Sequence, residues 1–172
     1  MNKEKFYESI KYGLFNGRFS QKQVDGFELI LTATAHLDKR YVAYMLATVY
    51  HETGRTMQPI EEREKGRGRR YSGKVKMDGT AYLFPNKIYY GRGYVQLTWY
   101  DNYKKMGKLL GIDLLNNPEL ALVHEVSIKI LIEGMTKAES NFGDFTGKCL
   151  EQYINDKKCD YVGCRGIING KD

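Results

Sequence analysis

Three segments in the first 54 residues carry apolar side chains at the spacing of an α-helix, and this pattern limits the possible folds more than any other feature of the chain. In the first segment, Phe6, Ile10 and Leu14 lie on one side of the predicted helix. The second segment opens with Ser20 and Gln23, which have the spacing of a capping box. Because amphipathic helices bury their apolar faces against one another, the sequence predicts a mainly α-helical domain.

The third predicted helix places a carboxylate beside its buried face. It begins at Asp38, a favourable N-cap, and stops near Gly54. Glu52 follows Val49 by three positions, so its side chain projects close to the apolar stripe at the end of the helix. A carboxyl group held against apolar side chains has a raised pKa and can stay protonated near neutral pH. Glu52 is therefore a candidate general acid.

Two other interpretations of Glu52 stay open at this point. His51 and Glu52 resemble the start of a zinc-binding helix, but the position of the second histidine is occupied by Arg55, and the chain has only three histidines. We therefore expect no metal and no other cofactor. A glutamate at a helix end can also be an ordinary solvated side chain, because most glutamates lie at the surface.

Residues 82–99 are rich in aromatic and β-branched residues and contain a Pro-Asn turn signal, so they predict short strands or an extended hairpin. Alternation within "YVQLTW" would direct Val95, Leu97 and Trp99 to a packed face and Tyr94, Gln96 and Thr98 to the opposite face. The preceding "GRG" is not a dinucleotide-binding fingerprint, because Gln96 stands in the place of the third glycine. An ordinary half-exposed hairpin is the alternative to a binding surface.

Helical patterns resume after residue 100. Asp101 is positioned to cap one helix, and Asn117 followed by Pro118 predicts the start of a long helix through Leu131. A further helix is predicted over about residues 148–154. With no repeat, low-complexity tract or linker, the sequence predicts one mainly α (α+β) domain over residues 1–172, with a small β element beside the third helix.

The net charge of +6 comes from one segment. Residues Arg63 to Lys76 contain seven basic residues and one acidic residue, and the remainder of the chain has 20 residues of each sign. The glycines in this segment predict a loop, which is either simply solvated or attracted to a polyanion. Nucleic acid is not the expected partner, because Tyr71 is the only aromatic residue there. Anionic polymers or lipids of a bacterial envelope would attract the loop equally well.

The cysteine content and the first residues indicate where the protein is made. Cys149, Cys159 and Cys164 are odd in number and match neither a disulfide framework nor a paired zinc motif, so we expect free thiols in a reducing compartment. The first 15 residues carry charges within their apolar pattern, so they predict neither a signal peptide nor a membrane span.

Four short strings of the sequence form a recognisable combination. "HETG", "YYGRGYVQLTWYDNY", "GIDLLNNPELAL" and "IING" occur in this order, and over about residues 43–170 the chain resembles glycoside hydrolase family 19, the plant-type chitinases, and more closely the phage endolysins of that fold. The resemblance implies a lysozyme-like helical domain that cleaves the β-1,4 bond between N-acetylated amino sugars with inversion.

The resemblance also assigns roles to individual residues. Glu52 of "HET" matches the general acid, and Thr98 matches the hydroxyl that helps to hold the attacking water. For the general base it favours Glu62 in "QPIEE", although a shift of one residue would exchange Glu62 for Glu61. The matched substrate-binding positions are Gln96, Asn102, Tyr90, Arg92 and Asn169, and for Arg92 a structural ion pair is an equal alternative.

The short chain and the lack of multiple disulfides favour bacterial peptidoglycan over chitin as the substrate. We expect a monomeric endolysin, a muramidase held in the host cytoplasm before lysis and acting on the wall in the periplasm. We also expect that the chain is truncated before a C-terminal helix. The alternatives are a chitinase, a lytic transglycosylase, a non-catalytic cell-wall binding module and a nucleic-acid-binding domain.

Overall fold

The computed structural model describes residues 2–84, 86–136 and 145–169. The described α-helices are α1 (Lys3–Phe15), α2 (Gln21–Ala33), α3 (Lys39–Glu52), α4 (Tyr100–Leu110), α5 (His124–Met135) and α6 (Gly166–Asn169). Strands β1 (Ile60–Glu61) and β2 (Arg92–Gly93) form an antiparallel pair in which Ile60 lies opposite Gly93 and Glu61 opposite Arg92. The predicted fold class, mainly helical with a small β element that follows α3, is confirmed.

The capping signals at the first helices act as predicted. The Ser20 hydroxyl accepts a hydrogen bond from the backbone N–H of Gln23, and the Gln23 side chain accepts one from the N–H of Ser20. Asp38 caps α3 by accepting from the N–H of Arg40. One detail of α1 differs from the prediction, because Leu14 is exposed and the adjacent Phe15 packs into the core instead.

The core is centred on α5, which contacts α2, α3, α4 and α6. Ile130, Leu131 and Met135 of α5 are almost completely buried. Beside them lies a group of tyrosines whose rings are fully buried, namely Tyr89, Tyr94, Tyr100 and Tyr103. A buried tyrosine hydroxyl needs a hydrogen-bond partner, and two of these tyrosines use theirs to anchor loops. Tyr89 donates to the carbonyl of Leu115, and Tyr103 donates to the carbonyl of Tyr90.

The chain between α3 and β1 is held against α2. A Cβ atom added at Gly26 of α2 would lie 1.9 Å from the carbonyl oxygen of Met57, so only glycine permits this approach. The Gln23 side chain donates to the carbonyl of Arg55, and the Gln58 side chain donates to that of Lys22. These contacts set the path from the end of α3 to the start of β1.

Of the two predictions for residues 82–99, the structure has a short strand, β2, and not an extended hairpin. β2 pairs with β1, an isolated antiparallel bridge joins Arg92 to Leu97, and the rest of the described segment is irregular. The expected alternation fails because Gln96 and Trp99 have positive φ angles of 51° and 76°, which an extended strand does not allow. Tyr94 is buried together with Val95 and Leu97. Its backbone N–H donates to the Ser127 hydroxyl, which holds this part of the segment against α5.

Three predicted helices also have different limits. Trp99, not Asp101, occupies the N-cap position of α4. The long helix from residue 117 is broken at Val123, whose extended backbone separates a 3₁₀ helix (Pro118–Leu122) from α5. Over 148–154 the described helical structure is a single 3₁₀ turn (Leu150–Gln152). Among the described residues, no helix combines the length and apolar composition needed to cross a membrane.

Candidate active site

Glu52 is the last residue of α3 and is half-buried, as the helical spacing predicted. Burial raises the pKa of its carboxyl above the usual value for glutamate, and nearby His51 opposes this shift only partly. Thr53 fixes the end of α3, because its hydroxyl donates to the carbonyl of Val49 and accepts from the N–H of Met57. Glu52 is thus held in an environment that favours a protonated carboxyl group.

Two cavities meet at Glu52. The first has a volume of about 340 Å³ and includes Gln96, Thr98, Trp99 and Asn102 in its wall. The second, of about 400 Å³, extends along α3 away from the sheet. Glu52 and Ile168 line both cavities. The candidate acid therefore borders two adjacent cavities.

The turn over residues 94–99 presents its polar groups to the first cavity in fixed positions. The Gln96 amide donates to the carbonyls of Ile60 and Gly93, which ties the turn to β1. The Thr98 hydroxyl donates to the carbonyl of Gln96 at 2.6 Å, so its lone pairs remain available to a ligand or water. Asn102 donates to the carbonyl of Thr98, and this bond uses one N–H of its amide group.

Glu61 of β1 has an environment opposite to that of Glu52. The Tyr90 hydroxyl donates to one carboxylate oxygen at 2.6 Å, and the Lys65 ammonium lies 3.3 Å from the other. The hydrogen bond from Tyr90, followed by the contact with Lys65, lowers the pKa of Glu61. The side chain is 36% exposed, and Lys65 is the more exposed partner. Glu61 is therefore an ionised carboxylate that water can reach.

Glu62 is held more tightly than its neighbour. The Tyr71 hydroxyl lies 2.7 Å from both of its oxygens, and the backbone N–H of Gly91 donates to one of them at 3.1 Å. Its side chain is 22% exposed. Tyr71 in turn packs edge-on against Trp99, with ring centroids 5.3 Å apart. Glu62 thus links the basic loop to the wall of the first cavity.

The two adjacent glutamates have different partners: Tyr90 and Lys65 contact Glu61, whereas Tyr71 and Gly91 hold Glu62. Glu61 lies opposite Arg92 in β2, whereas Glu62 forms its backbone hydrogen bond with Gly91. Only one of the two can face a given reacting bond.

Arg92 is buried and does not reach the cleft as a substrate ligand would. Its guanidinium lies 3.5 Å from the centre of the Tyr90 ring and donates to the carbonyls of Ile88 and Tyr90 and to the hydroxyl of Tyr103. No described carboxylate forms the expected ion pair with Arg92, and the expected substrate contact stays a prediction. Arg92 instead supports Tyr90, which is itself buried and acts on Glu61 through its hydroxyl.

The predicted site residues differ in what the structure reveals about them. Gln96, Thr98 and Asn102 are brought together with Glu52. Asn169 ends α6, but its side chain lies outside the described part, so its role stays a prediction. Residues that the sequence did not single out are Ile168, next to the predicted Asn169, and Trp99, which was expected on a packed face but is half-buried in the cavity wall.

The basic segment forms the predicted loop, consisting of turns and a 3₁₀ helix (Arg70–Gly73). Most of its cationic side chains are exposed. Lys65 contacts Glu61, and Arg69 lies 3.9 Å from Glu62. The loop therefore places positive charge directly beside the two candidate bases.

Comparison with known proteins identifies similar chains. The family model for class I chitinases of glycoside hydrolase family 19 matches residues 20–141. An endochitinase of Arabidopsis thaliana is 42% identical over 83 residues, which is 48% of this chain and 26% of that protein. An inactive chitinase-like protein of Hevea brasiliensis is 55% identical over 42 residues, covering 24% of this chain and 13% of that protein. The matches therefore span about a quarter or less of these relatives' length.

Chitinase C from Streptomyces griseus has a similar structure, with a TM-score of 0.53 and 28% identity over 75% of this chain and 65% of that one. A crystal structure of a chitinase C mutant gives the same TM-score with 30% identity and the same coverage. Because the family model covers well over half of the residues, the chain belongs to the class I chitinase family, glycoside hydrolase family 19.

Proposed function

We propose that this protein is a glycoside hydrolase that cleaves the β-1,4 bond between N-acetylmuramic acid and N-acetylglucosamine in bacterial peptidoglycan. One observation carries the hydrolase proposal: Glu52 has a raised pKa, and Glu61, in the strand to which the cavity residue Gln96 is hydrogen-bonded, has a lowered one. Environments that shift two carboxyl groups in opposite directions separate an acid from a base. Similarity alone would not support catalysis, because an inactive protein is among the similar chains.

In this proposal Glu52 protonates the oxygen of the leaving sugar, and Glu61 removes a proton from the water that attacks the opposite side of the ring. Thr98, whose hydroxyl has free lone pairs, helps to hold that water. An inverting enzyme needs about 6.5 to 9.5 Å between the carboxyl groups so that water fits between them. The product would have the inverted anomeric configuration.

The contacts support Glu61 as the base, although the sequence pattern favoured Glu62. A general base needs an ionised carboxylate with an oxygen available to water. One oxygen of Glu61 has only the exposed Lys65 as a partner. The single hydroxyl proton of Tyr71 is shared between the two oxygens of Glu62, and the N–H of Gly91 donates to one of them. We assign Glu62 the role of fixing Tyr71 and the loop beside the cleft.

Peptidoglycan is supported as the substrate by the placement of charge. The excess of +6 is concentrated in the loop beside Glu61 and Glu62, where it would attract an anionic wall. Chitin is the second candidate, because similar chains include an endochitinase and a chitinase. If peptidoglycan is the substrate, the protein acts as an endolysin that is made in the host cytoplasm and lyses the cell from the periplasm.

Mass spectrometry of digested, purified peptidoglycan tests this proposal. We expect products with muramic acid at the reducing end. Reducing-end glucosamine would indicate cleavage of the other glycosidic bond, and anhydro ends would indicate a lytic transglycosylase. Activity on chitin oligosaccharides but not on peptidoglycan would replace the proposal by the chitinase alternative.

The opposite pKa shifts predict the pH dependence of kcat/KM. Activity should fall at low pH as Glu61 becomes protonated, below the ordinary glutamate value of about 4.3, because its pKa is lowered. Activity should also fall at high pH as Glu52 loses its proton. This loss should occur above the ordinary glutamate value, because the pKa of Glu52 is raised. The check is a profile from about pH 3 to pH 9 on soluble glycan strands. Loss of the acid limb in Glu61→Gln would identify its origin, and an unchanged limb would contradict the assignment.

The exposed charges of the basic loop should govern attachment rather than cleavage. We expect Arg63→Gln, Arg67→Gln and Lys74→Gln together to weaken binding to anionic cell walls severalfold at low salt, since long-range attraction acts on the encounter. Cleavage of a short soluble oligosaccharide should change less than twofold. None of these side chains makes a hydrogen bond or ion pair with the described residues.

A matched variant controls for net charge: Lys5→Gln, Lys108→Gln and Lys129→Gln remove the same number of positive charges from exposed positions on helices. This variant should keep wall binding close to that of the unmodified protein. Equal losses of wall binding in the two variants, or equal losses on both substrates in the loop variant, would contradict a specific role of the loop in attachment.

A further inference from the structure

The second cavity continues the cleft along α3. Its floor is formed by Tyr44, Ala47, Thr48 and His51, which are spaced three or four residues apart and therefore share one face of the helix. This face leads to Glu52 at the helix end. At a rise of about 1.5 Å per residue, the seven positions from Tyr44 to His51 span roughly 10 Å, enough for an extended ligand on this side of the candidate acid.

Arg165 supplies a cationic group to the wall of this cavity. It ends a 3₁₀ helix (Gly163–Arg165) that runs directly into α6, so its backbone is held by regular structure. The side chain is exposed, and no described carboxylate pairs with it. Burial raises the pKa of Tyr44 to about 12, and the positive charge of Arg165 counteracts part of that shift, which indicates that the guanidinium lies close to the cavity floor.

Aromatic rings lie at the end of the cavity farthest from Glu52. The rings of Tyr44 and Tyr161 are nearly parallel, with an interplanar angle of 6° and centroids 6.0 Å apart. Tyr161 is 43% exposed. Through Tyr44 and Arg165 the cavity wall offers a ligand both an aromatic surface and a charged hydrogen-bond donor that no described carboxylate pairs with.

We propose that the second cavity binds an amino sugar bearing a carboxylate-containing substituent, and that Arg165 is the residue that distinguishes this sugar from neutral N-acetylglucosamine. This inference rests on the proposed function, because it names the part of the cleft that would recognise a muramic acid residue whose lactyl carboxylate is free, as it is where the stem peptide has been removed. A guanidinium group matches a carboxylate with two parallel hydrogen bonds, whereas a chitin chain offers it only neutral groups.

The electrostatics of the cavity are compatible with this ligand. Among the described residues, the charged or titratable side chains that line it are Tyr44, His51, Glu52 and Arg165. The pKa values of Tyr44 and Glu52 are both raised by burial, which favours their neutral forms, so neither would repel an incoming carboxylate. A bound carboxylate would raise the pKa of Glu52 further, because a nearby like charge disfavours ionisation. Ligand recognition and protonation of the acid would thus support each other.

Binding measurements test the inference without requiring turnover. The probes are peptidoglycan glycan strands whose peptides have been removed, which leaves free lactyl carboxylates, and the same strands with these carboxylates converted to methylamides. The protein carries Glu52→Gln to prevent hydrolysis. We expect the charged strands to bind about fivefold to tenfold more tightly than the neutral strands, the range for a partly exposed charge-assisted hydrogen bond.

Adding Arg165→Gln should remove this preference by weakening binding of the charged strands alone, and Arg165→Lys should restore part of it. Arg18→Gln is the matched control, because it removes the same charge from an exposed position away from both cavities. Equal binding of the two kinds of strand before the change at Arg165, or an equal loss for both after it, would overturn the inference.

The failure of this inference and the failure of the proposed function give different results. The proposed function fails if the unmodified protein releases no reducing-end muramic acid from peptidoglycan. The inference fails on the binding ratio, whatever the products are. In hydrolysis by the unmodified protein and by the Arg165→Gln variant, a binding role should appear as a higher KM on charged strands with kcat nearly unchanged.

Discussion

Replacing Glu52 by glutamine is expected to abolish bacterial cell lysis while the fold is kept. The amide is nearly isosteric with the carboxyl group but cannot donate a proton to the glycosidic oxygen, and loss of a positioned general acid costs roughly a hundredfold to ten-thousandfold in rate. The side chain is half-buried at the end of α3, and no described group donates a hydrogen bond to it, so its replacement leaves no partner unpaired. The measurement is turbidity clearing of a bacterial suspension, with circular dichroism to verify folding.

Glu8→Gln serves as the control for this change, because Glu8 is an exposed glutamate of α1 and lines neither cavity. It should keep full activity. Residual clearing of more than about a tenth by Glu52→Gln, in a preparation free of other lysins, would show that Glu52 is not the acid, since a general acid contributes at least about a hundredfold.

The second large effect is expected at Glu61. We predict that Glu61→Gln lowers turnover by about a hundredfold or more, the range for loss of a positioned general base. Glu62→Gln should cost only a fewfold in rate, because an amide oxygen in the place of Oε2 can still accept from both Tyr71 and Gly91. The Glu62 variant should instead lower thermal stability slightly, since a hydrogen bond to a charged group contributes more than one to a neutral group.

The two variants are assayed side by side on soluble glycan strands, with Thr98→Val as a third. Removing the Thr98 hydroxyl conserves shape and takes away the second group proposed to hold the water, so it should resemble a weaker Glu61 variant. A large loss in Glu62→Gln with nearly normal Glu61→Gln would reverse the assignment. Full activity in both would favour a mechanism with a single glutamate.

The adjacent carboxylates of Glu61 and Glu62 show why one part of the site was not predictable from sequence. The residue that lowers the pKa of Glu61 is Tyr90, 29 positions later in the chain. Tyr71, which holds Glu62, belongs to a loop that the sequence indicated only through its charge. Because the environment of each carboxylate is created by residues distant in sequence, the pattern "QPIEE" could not distinguish them.

The burial of Arg92 and the conformation of the turn over residues 94–99 were also not predictable from the sequence. The sequence treats Arg92 as a potential substrate ligand, but packing of Tyr90 and Tyr103 around its guanidinium buries it. Alternation in "YVQLTW" predicts a strand, yet Gln96 adopts a positive φ and its side chain bonds to β1. Such a conformation is stabilised by contacts with another part of the chain, which a local pattern does not contain.

The sequence by itself determined the features that depend on neighbours within about one or two helical turns. The caps at Ser20 and Asp38, the course of α2 and α3 and the partial burial of Glu52 follow from helical spacing, because i to i+4 relations are local. Only the tertiary structure decided what surrounds that glutamate. The two cavities that meet at Glu52, the opposite pKa shift at Glu61 and the approach of Arg165 to Tyr44 arise from segments that folding brings together, since charge and solvent act through space rather than along the chain.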